Sequence, residues 1–266
     1  MERPESEGDI VLKECALDLD APAIGKYERA TFHKDGQMSA IYRAKTHASL
    51  NMPKNSGELV ALKISHPAAM TPPHNSTREA RILDKARHQA VVPLLDVFWE
   101  LGGRFVMVFP FLRYDLDTLL HRITLTMTQM LQVARSLFSA LDHLHKLGII
   151  HRDVKPSNIL MQSPDGPSLL ADFGIAWSPD DLESEPATRK ITDVGTTSYR
   201  PPELLFGYSA YDTSLDMWAA GCVVGQMMKP DHQSVFDSGP LGSELGLIKS
   251  IFSTLGTPND SIWPVS

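Results

Sequence analysis

The sequence predicts an α+β protein in which a small β-rich lobe is followed by a larger, mainly helical lobe. Two observations support this division. From Tyr27 to Phe111, short runs alternate between apolar and polar residues with a period of two, which is typical of half-buried strands. Beyond the stretch LRYDLDTLL, apolar residues recur at helical spacing instead. The chain has 266 residues, which is enough for two lobes with a sizeable buried core.

The small lobe is predicted to contain several strands and one helix. The stretch FHKDGQMSAIYRAK, Phe32 to Lys45, has the outline of a strand, a tight turn and a second strand. Further strands are predicted for LVALKI and for RFVMVFPF, which follows the turn LGG. Between them STREARILDKA predicts a helix with Ser76 or Thr77 as its N-cap. The insert HASLNMPKNSGE is predicted to be an exposed hairpin loop, and residues 1–24 to be a loosely held polar extension.

The clearest helix prediction falls on TMTQMLQVARSLFSALDHLHKLG. Thr126 and Gln129 form a capping-box pattern at its start, and Gly148 provides the C-terminal stop. One apolar stripe follows helical spacing through Met130, Val133, Ala134, Leu137, Leu141 and Leu144. The turn SPDGP then separates two short apolar strands, NILM and SLLADF.

Composition and charge exclude several classes of protein. The net charge of -7 leaves no basic excess for broad nucleic-acid binding, although a local basic patch is compatible with it. The acidic start MERPESEGDI has no apolar core and does not read as a signal peptide. The longest apolar run, Met217 to Met228, is too short to span a bilayer. We therefore expect a cytoplasmic or nuclear protein that neither crosses a membrane nor binds nucleic acid.

Cysteine usage points away from disulfides and zinc. Cys15 and Cys222 lie far apart, and Cys222 falls in the apolar run MWAAGCVVGQMM, which predicts a buried, reduced thiol. The sequence contains no CxxC pair and no HExxH motif that would suggest a zinc site.

The densest polar stretch is IIHRDVKPSNIL, just beyond the long helix. It places on one loop the residues His151, Arg152, Asp153, Lys155 and Asn158. Acidic, basic and amide side chains so close together suit proton acceptance, phosphate contact and metal binding. The stretch ADFG adds a second carboxylate, Asp172, at a strand end before a glycine. Each fragment alone is also typical of an ordinary surface turn.

Taken in order, VALK with Lys63, REARIL with Glu79, HRDVKPSN, DFG and PPE form the signature set of eukaryotic protein kinases. The sequence resembles that family from about Tyr27 to its end, and KPSN resembles its serine/threonine class. SYRPPELLFGYSAYDTSLDMWAAGCVV and IFSTLGTPNDSIWP are similar to the group of cyclin-dependent and mitogen-activated kinases. Within that group, NSTREARIL and PPELLFG resemble fungal kinases that activate cyclin-dependent kinases.

The resemblance implies a bilobal protein kinase fold, with residues 25–112 as the N-lobe and residues 113–266 as the C-lobe. It implies ATP and Mg2+ as cofactors. The family continues with further helices, one of which supplies an arginine partner for Glu203, so the C-lobe is expected to be incomplete at its C-terminal end. An unpaired Glu203 predicts a marginally soluble protein that exposes apolar surface on its large lobe.

The resemblance also assigns catalytic roles. Lys63 is expected to hold the α- and β-phosphates and to be kept in place by an ion pair with Glu79. The alternative for Glu79 is an exposed glutamate on the helix surface. Asp153 is expected to accept or orient the proton of the substrate hydroxyl, and Lys155 to meet the γ-phosphate.

The resemblance implies that Asn158 and Asp172 bind the magnesium ions, and their amide and carboxylate oxygens are ligands that this cation prefers. Thr196 stands where family members use a threonine to hydrogen-bond the catalytic aspartate. Thr192 lies near the usual activating phosphorylation site, where Arg152 could pair with a phosphate, and a plain solvated threonine is the alternative. His151 is expected to pack as a structural residue and not to act as a base.

The adenine pocket is expected at VFPFL, where the family holds the base through main-chain groups. Pro110 lacks an N–H, but only its carbonyl is needed as an acceptor, so proline is tolerated there. Leu112 is expected to provide the donor N–H and a second carbonyl, and Phe109 to wall the back of the pocket. The resemblance extends the pocket lining to Ala61, Asp115 and Leu160.

The hairpin stretch KDGQMSAI aligns with the glycine-rich loop that covers the phosphates in this family. Lys34, Gly36 and Ser39 occupy the three glycine positions, and Ile41 the valine position over the adenine. Glycine serves there because backbone N–H groups must approach phosphates closely. We expect a functional but degraded loop, with an ordinary surface hairpin as the alternative.

The expected partner is a protein substrate, with a cyclin-dependent kinase as one candidate. The helix lacks the full cyclin-binding sequence, so dependence on a cyclin stays open. Two other functions remain: a pseudokinase scaffold that binds partners without catalysis, and a small-molecule kinase. The small-molecule reading is disfavoured because PPE and the segment before it resemble a peptide-substrate platform.

Overall fold

The computed structural model describes residues 17–46, 59–239 and 242–259. It confirms the predicted α+β architecture, in which a β-rich lobe precedes a helical lobe. The small lobe is built on an antiparallel sheet with strand order β1-β2-β3-β5-β4. Its strands are β1 (Tyr27–Asp35), β2 (Ser39–Thr46), β3 (Leu59–Ser65), β4 (Asp96–Glu100) and β5 (Arg104–Pro110).

The two faces of this sheet are buried in different cores. Strand alternation places Val60, Leu62 and Val108 on the outer face, where they pack with Tyr27 near the start of the described chain. The other face of β5, which includes Met107, packs into the main core of the molecule. The central strands β3 and β5 are therefore held on both sides, which makes them a rigid support for the residues that they carry.

The small-lobe helix, α1 (Ser76–Lys85), begins one residue earlier than its predicted caps allow. Asn75 is the N-cap, and its side-chain oxygen accepts a hydrogen bond of 2.9 Å from the N–H of Arg78. The hydroxyl of Ser76 is buried and makes no hydrogen bond within the described chain. The prediction of Ser76 or Thr77 as the cap was therefore wrong, because Asn75 adopts the extended conformation that capping requires.

The large lobe contains the remaining described helices and a small sheet. The helices are α2 (Leu116–Arg122), α3 (Met127–Lys146), α4 (Pro202–Leu205), α5 (Ser214–Met228) and α6 (Glu244–Leu255). The sheet has the order β6-β7-β8, with β6 (Tyr114–Asp115), β7 (Ile159–Met161) and β8 (Ser168–Leu170). The predicted strands NILM and SLLADF are present as β7 and β8, although each is shorter than its apolar run.

Helix α3 agrees with its sequence pattern. Thr126 and Gln129 form both hydrogen bonds of the capping box. Gly148 terminates the helix region with φ = 72°, a left-handed conformation that favours glycine. The predicted stripe faces the main core: Val133, Leu137, Leu141 and Leu144 are buried, and Met130 and Ala134 pack against them.

Three further expectations concern cysteine, the insert and the membrane. Cys222 is buried on α5 with a free thiol, as predicted, whereas Cys15 and the insert of residues 47–58 lie outside the described residues. Among the helices that the structure describes, none has the length and apolar character needed to cross a membrane.

Candidate active site

The cleft between the lobes contains a lysine held between two carboxylates. The Lys63 ammonium lies 2.7 Å and 2.9 Å from the two carboxylate oxygens of Glu79 and 2.7 Å from Asp172 Oδ1. These residues come from β3, from α1 and from the loop after β8. The ion pair predicted between Lys63 and Glu79 is present, and the exposed-glutamate alternative is excluded because Glu79 is only 2% exposed.

The charges of this cluster stabilise one another. Burial alone lowers the pKa of Lys63, but the carboxylates of Asp172 and Glu79 outweigh burial and raise it above its usual range. The positive charge of Lys63 in turn holds the pKa of Asp172 well below its usual range, against the effect of burial. Burial raises the pKa of Glu79, and Lys63 opposes that rise. Lys63 and Asp172 therefore remain ionised at neutral pH.

The backbone at Asp172 and Gly174 has two features that leave space beside the charged groups. Asp172 has φ = 63°, a conformation that non-glycine residues rarely adopt and that recurs at functional sites. A Cβ added to Gly174 would lie 3.3 Å from Asp172 Oδ1 and 3.4 Å from Glu79 Oε2. Glycine at this position therefore leaves the space between the charged groups free.

The polar loop places its carboxylate in a closed hydrogen-bond network. Thr196 Oγ1 donates to Asp153 Oδ1 at 2.9 Å, as the resemblance predicted for this threonine. Lys155 Nζ lies 2.8 Å from Asp153 Oδ2 and donates to Thr196 Oγ1 at 2.8 Å. Asn158 Nδ2 donates to the carbonyl of Asp153 at 2.8 Å and to its carboxylate at 3.0 Å. The four side chains thus have fixed relative positions.

A buried carboxylate on α5 forms hydrogen bonds with the backbone of the polar loop. Asp216 is fully buried and accepts the backbone N–H groups of His151 and Arg152, each at 2.9 Å. Arg152 has φ = 70°, and these two hydrogen bonds offset the strain of that conformation. His145 Nε2 lies 2.9 Å from the same carboxylate. The sequence analysis missed Asp216, although a carboxylate inside the apolar stretch SLDMWAAGC was a usable signal.

His151 packs as predicted. It is fully buried, its Nε2 lies 3.0 Å from the carbonyl of Ala171, and its ring meets Phe173 edge-on with centroids 4.7 Å apart. Its second ring nitrogen lies 3.3 Å from the N–H of Asp153. These contacts link the polar loop to the ADFG segment, and they leave the imidazole without access to a substrate.

The segment predicted to hold adenine lies at the end of β5. Pro110 pairs with Val60 across the sheet, and the N–H of Phe111 donates to the carbonyl of Leu59 at 3.2 Å. Within the described part of the chain, the main-chain N–H and C=O of Leu112 form no hydrogen bond. Phe109 is nearly buried and joins the main core. Its position is compatible with a back wall, and the role stays a prediction.

The other residues predicted to line the adenine pocket are Ala61, Leu160 and Asp115. Ala61 on β3 is the register partner of Phe109, and Leu160 on β7 pairs with Asp115 on β6. The carboxylate of Asp115 caps α2: it accepts the N–H of Thr118 at 2.8 Å and its hydroxyl at 3.0 Å. Asp115 therefore has a structural task that the sequence analysis did not anticipate.

The predicted phosphate-covering loop is the tight hairpin between β1 and β2. Lys34 pairs with Ile41 across it, and Lys34 and Gly36 are exposed. The N–H of Gly36 donates to the carbonyl of Ser39 at 2.6 Å, so this donor is used inside the turn. Ile41 is the register partner of Lys63, so the hairpin adjoins the strand that carries this lysine, and its role over the phosphates stays a prediction.

The segment after ADFG provides a carboxylate partner for Arg152. Arg152, which the sequence analysis considered as a partner for a phosphate on Thr192, forms two hydrogen bonds with the carboxylate of Glu185, at 3.1 Å and 3.2 Å. Its side chain is completely buried. Phosphorylation of Thr192 stays a prediction. The sequence analysis missed Glu185, because nothing in the acidic stretch SPDDLESEP singles out one carboxylate from its neighbours.

The cleft lies between a β-rich lobe and a helical lobe. It brings together the Lys63–Glu79 ion pair, the polar loop with Asp153, and Asp172 of the ADFG segment. This arrangement is typical of a phosphotransferase of the kinase class. The profile of the protein kinase domain matches residues 35–240, and the chain belongs to the protein kinase family.

Relatives of this chain narrow the class to serine/threonine kinases of the cyclin-dependent group. The chain is 35% identical to the serine/threonine-protein kinase csk1 of Schizosaccharomyces pombe, over 86% of this chain and 72% of that protein. It is 34% identical to cyclin-dependent kinase 7 of Xenopus laevis, over 90% of this chain and 65% of that protein. It is 33% identical to CTD kinase subunit alpha of S. pombe, over 90% of this chain and 39% of that protein.

Proposed function

We propose that the chain is an active protein kinase that uses ATP and magnesium to phosphorylate a serine or threonine hydroxyl of a protein. One observation carries the proposal: Lys63 contacts both Glu79 and Asp172 at 2.7 Å, so residues of both lobes are already assembled around one charge. Phosphoryl transfer depends mainly on alignment and on neutralising charge, and this arrangement provides both.

The residues present fit magnesium. Asn158 uses its amide N–H groups on Asp153, which leaves the amide oxygen as an available ligand. Asp172 uses Oδ1 on Lys63, and its side chain is 49% exposed. No group of three or more His, Cys, Asp or Glu side chains that could hold a metal ion by itself is found in the described chain. When bound, magnesium neutralises charge on the phosphate oxygens.

The phosphate acceptor is positioned by the polar loop. In this proposal Asp153 accepts a hydrogen bond from the substrate hydroxyl and orients its oxygen for attack. Thr196 and Asn158 fix the carboxylate of Asp153 from two sides. Lys155, which lies 2.8 Å from that carboxylate, brings a positive charge to the point where the γ-phosphate must pass.

The nucleotide is proposed to enter between the lobes. The carbonyl of Pro110 and the main-chain groups of Leu112 bind the adenine edge, and Phe109, Ala61 and Leu160 surround the ring. Lys63 contacts the α- and β-phosphates. Ile41 and the hairpin with Lys34, Gly36 and Ser39 cover the nucleotide from above.

The substrate is proposed to be a protein, and the activation-loop threonine of a cyclin-dependent kinase is the finer candidate. The similarity to csk1 and to cyclin-dependent kinase 7 supports the choice of group, and the small-molecule alternative finds no support in these relatives. Dependence on a cyclin stays open. We propose the cytoplasm or the nucleus as the site of action.

The test is transfer of radiolabelled γ-phosphate from ATP to a cyclin-dependent kinase and, in parallel, to a generic basic protein. Asp172→Asn is the matched control, because it removes a charge from the site while preserving the size of the side chain. Mass spectrometry of both preparations excludes a contaminating kinase. Equal transfer by the wild type and by Asp172→Asn would refute the assignment, and labelling of the basic protein alone would refute the finer substrate.

A pseudokinase scaffold remains the second candidate, because the hairpin uses the N–H of Gly36 internally. This function predicts binding without transfer. A melting experiment with and without ATP and magnesium separates the cases. Stabilisation by nucleotide with no transfer to any protein favours the scaffold, and stabilisation with transfer favours the kinase.

A further inference from the structure

Arg152 is a completely buried cation with a carboxylate partner from the segment after ADFG. Its two terminal nitrogens lie 3.1 Å and 3.2 Å from the two carboxylate oxygens of Glu185, which is the bidentate arrangement that arginine favours. Its guanidinium also lies over the ring of Tyr211, at 5.5 Å from the centroid. A buried guanidinium requires a counter-charge, and Glu185 provides it.

The backbone of Glu185 is also fixed by a hydrogen bond. Its carbonyl accepts the indole N–H of Trp177 at 2.8 Å. The ring of Trp177 in turn carries the ammonium of Lys190 at 4.7 Å. Burial opposes ionisation of Glu185, but the hydrogen bonds and charge of Arg152 outweigh it and hold the pKa of Glu185 below its usual value. Glu185 is thus anchored and charged at neutral pH.

The same stretch binds helix α1 through further charges. We call residues 180–185 the acidic segment. Arg81 pairs with Asp181 at 2.7 Å and with Glu183 at 2.7 Å, and Lys85 pairs with Asp180. Arg78, which is buried beside Glu79 on α1, donates to the carbonyl of Glu183 at 3.2 Å. The acidic segment therefore connects the helix that carries Glu79 to the loop that carries Asp153.

Thr192 has no part in these contacts. Its carbonyl accepts the N–H of Val194 at 2.9 Å, and its hydroxyl makes no hydrogen bond to any other residue that the structure describes. Glu185 occupies both terminal nitrogens of Arg152, and Arg152 Nε has no partner in the described chain, so a phosphate on Thr192 that used the terminal nitrogens would displace Glu185. The displaced carboxylate would then lie beside a phosphate of the same sign, which is unfavourable.

We propose that Glu185 is a positioning residue. Its carboxylate neutralises the charge of Arg152 and so keeps the polar loop, which carries Asp153, in place without a phosphate on Thr192. This inference rests on the proposed kinase activity. It assigns to Glu185 a role that acts through Arg152, and it makes Thr192 dispensable.

The test uses the whole chain produced in bacteria and treated with phosphatase, with mass spectrometry to verify that residues 178–203 carry no phosphate. We expect this form to transfer phosphate, and Thr192→Val to retain kcat within about twofold. Glu185→Gln, which keeps the shape but removes the charge, is expected to lower kcat about tenfold or more with little change in the KM for ATP. Glu185→Asp should recover part of that loss, which a role in shape alone would not produce.

Asp180→Asn is the matched control, because Asp180 belongs to the acidic segment but its carboxylate is 72% exposed and pairs with Lys85 instead of Arg152. We expect its kcat to stay within about twofold of the wild type. A Glu185→Gln variant with wild-type kcat would overturn the proposal. A wild-type kcat that falls tenfold or more on phosphatase treatment, to the level of Thr192→Val, would also overturn it, even if Glu185→Gln fails to fold.

Hydrogen exchange separates failure of this inference from failure of the proposed function. Amides of residues 178–196 should exchange faster in Glu185→Gln than in Asp180→Asn, whether or not the chain transfers phosphate. A chain that is inactive in every form but shows this difference refutes the kinase activity and leaves the role of Glu185 intact. Equal exchange in the two variants refutes the role of Glu185.

Discussion

At the scale of single residues, the site depends on charges that need one another. Lys63 is 13% exposed and Glu79 is 2% exposed, so neither charge is stable in the cleft alone. Asp172 completes the set from the other lobe, at 2.7 Å from the same ammonium. Removal of any one of these groups therefore affects the other two.

Asp172→Asn is expected to abolish transfer, with a loss of about a hundredfold or more in kcat, because it removes the principal carboxylate that we propose for magnesium. Lys63→Met is expected to impair transfer as well, but it leaves Glu79 buried without its cation and so also lowers stability. Asp172→Asn is therefore the cleaner variant. Initial rates together with melting curves measure both effects, and near wild-type rates in either variant would contradict the catalytic assignment.

Ser39→Gly tests the hairpin. A Cβ at Gly36 would lie 2.9 Å from Ser39 Oγ, so with serine at position 39 the turn tolerates only glycine at position 36. Glycine at position 39 adds backbone freedom without removing a charge. We expect the KM for ATP to fall by a few-fold, the effect of about 1 kcal/mol, while the KM for peptide stays unchanged. An unchanged or higher KM for ATP would favour the surface-hairpin interpretation.

At the scale of elements, helix α1 links the two halves of the site. The side chain of Asn75 caps it and also donates to Glu183 Oε2 at 2.7 Å. The N–H of Asn75 donates to the carbonyl of Gly174 at 3.1 Å. The start of α1 is thus tied both to the ADFG segment and to the acidic segment, which fixes the position of Glu79.

Asn75→Ala is expected to lower the free energy of unfolding by about 1 kcal/mol, the usual effect of losing an N-cap. Ser76→Ala is the matched control: it removes a buried hydroxyl that has no hydrogen-bond partner in the described chain, so stability should be unchanged or higher. Denaturant titration of both variants measures the difference. If Ser76→Ala is the more destabilising change, Ser76 is the cap in solution.

At the scale of the whole molecule, the large lobe leaves apolar surface uncovered. Exposed apolar side chains there include Phe206, Tyr208, Met228, Leu245 and Leu255. The carboxylate of Glu203 lies in the same region and forms no ion pair with any described residue. Burial raises its pKa, because no positive charge compensates for lost hydration.

Glu203→Gln is expected to raise the Tm slightly at pH 7. The gain in the free energy of unfolding should be below about 1 kcal/mol, because the carboxylate keeps partial access to solvent. The folded pKa is higher than the unfolded pKa, so the stability contributed by the protonated form is present at low pH and is lost as pH rises through the folded pKa. The advantage of glutamine should therefore shrink towards pH 4. An advantage that grows on acidification would contradict this assignment.

The exposed apolar surface makes a further prediction for the wild type. The chain should bind a dye specific for apolar surface before it melts, and it should melt below about 60 °C. A cooperative transition above that temperature without prior dye binding would contradict the expectation.

The sequence by itself determined the order of strands and helices, the capping of α3 and the residue types of the site, because these depend on local periodicity and on short motifs. Asp153, Lys155, Asn158 and Thr196 could be predicted for this reason. Their network, which the structure shows, required only that the loop fold as its motif indicates.

Only the tertiary structure decided which distant charges meet. Asp216 reaches the loop from 64 residues away, and Glu185 reaches Arg152 from 33 residues away. The N-cap of α1 likewise depended on where Gly174 and Glu183 lie. A surface carboxylate and a buried counter-ion look alike in sequence, because burial is a property of the packed chain and not of the residue. That is the physical reason why the sequence did not reveal the pairing of Arg152 with Glu185.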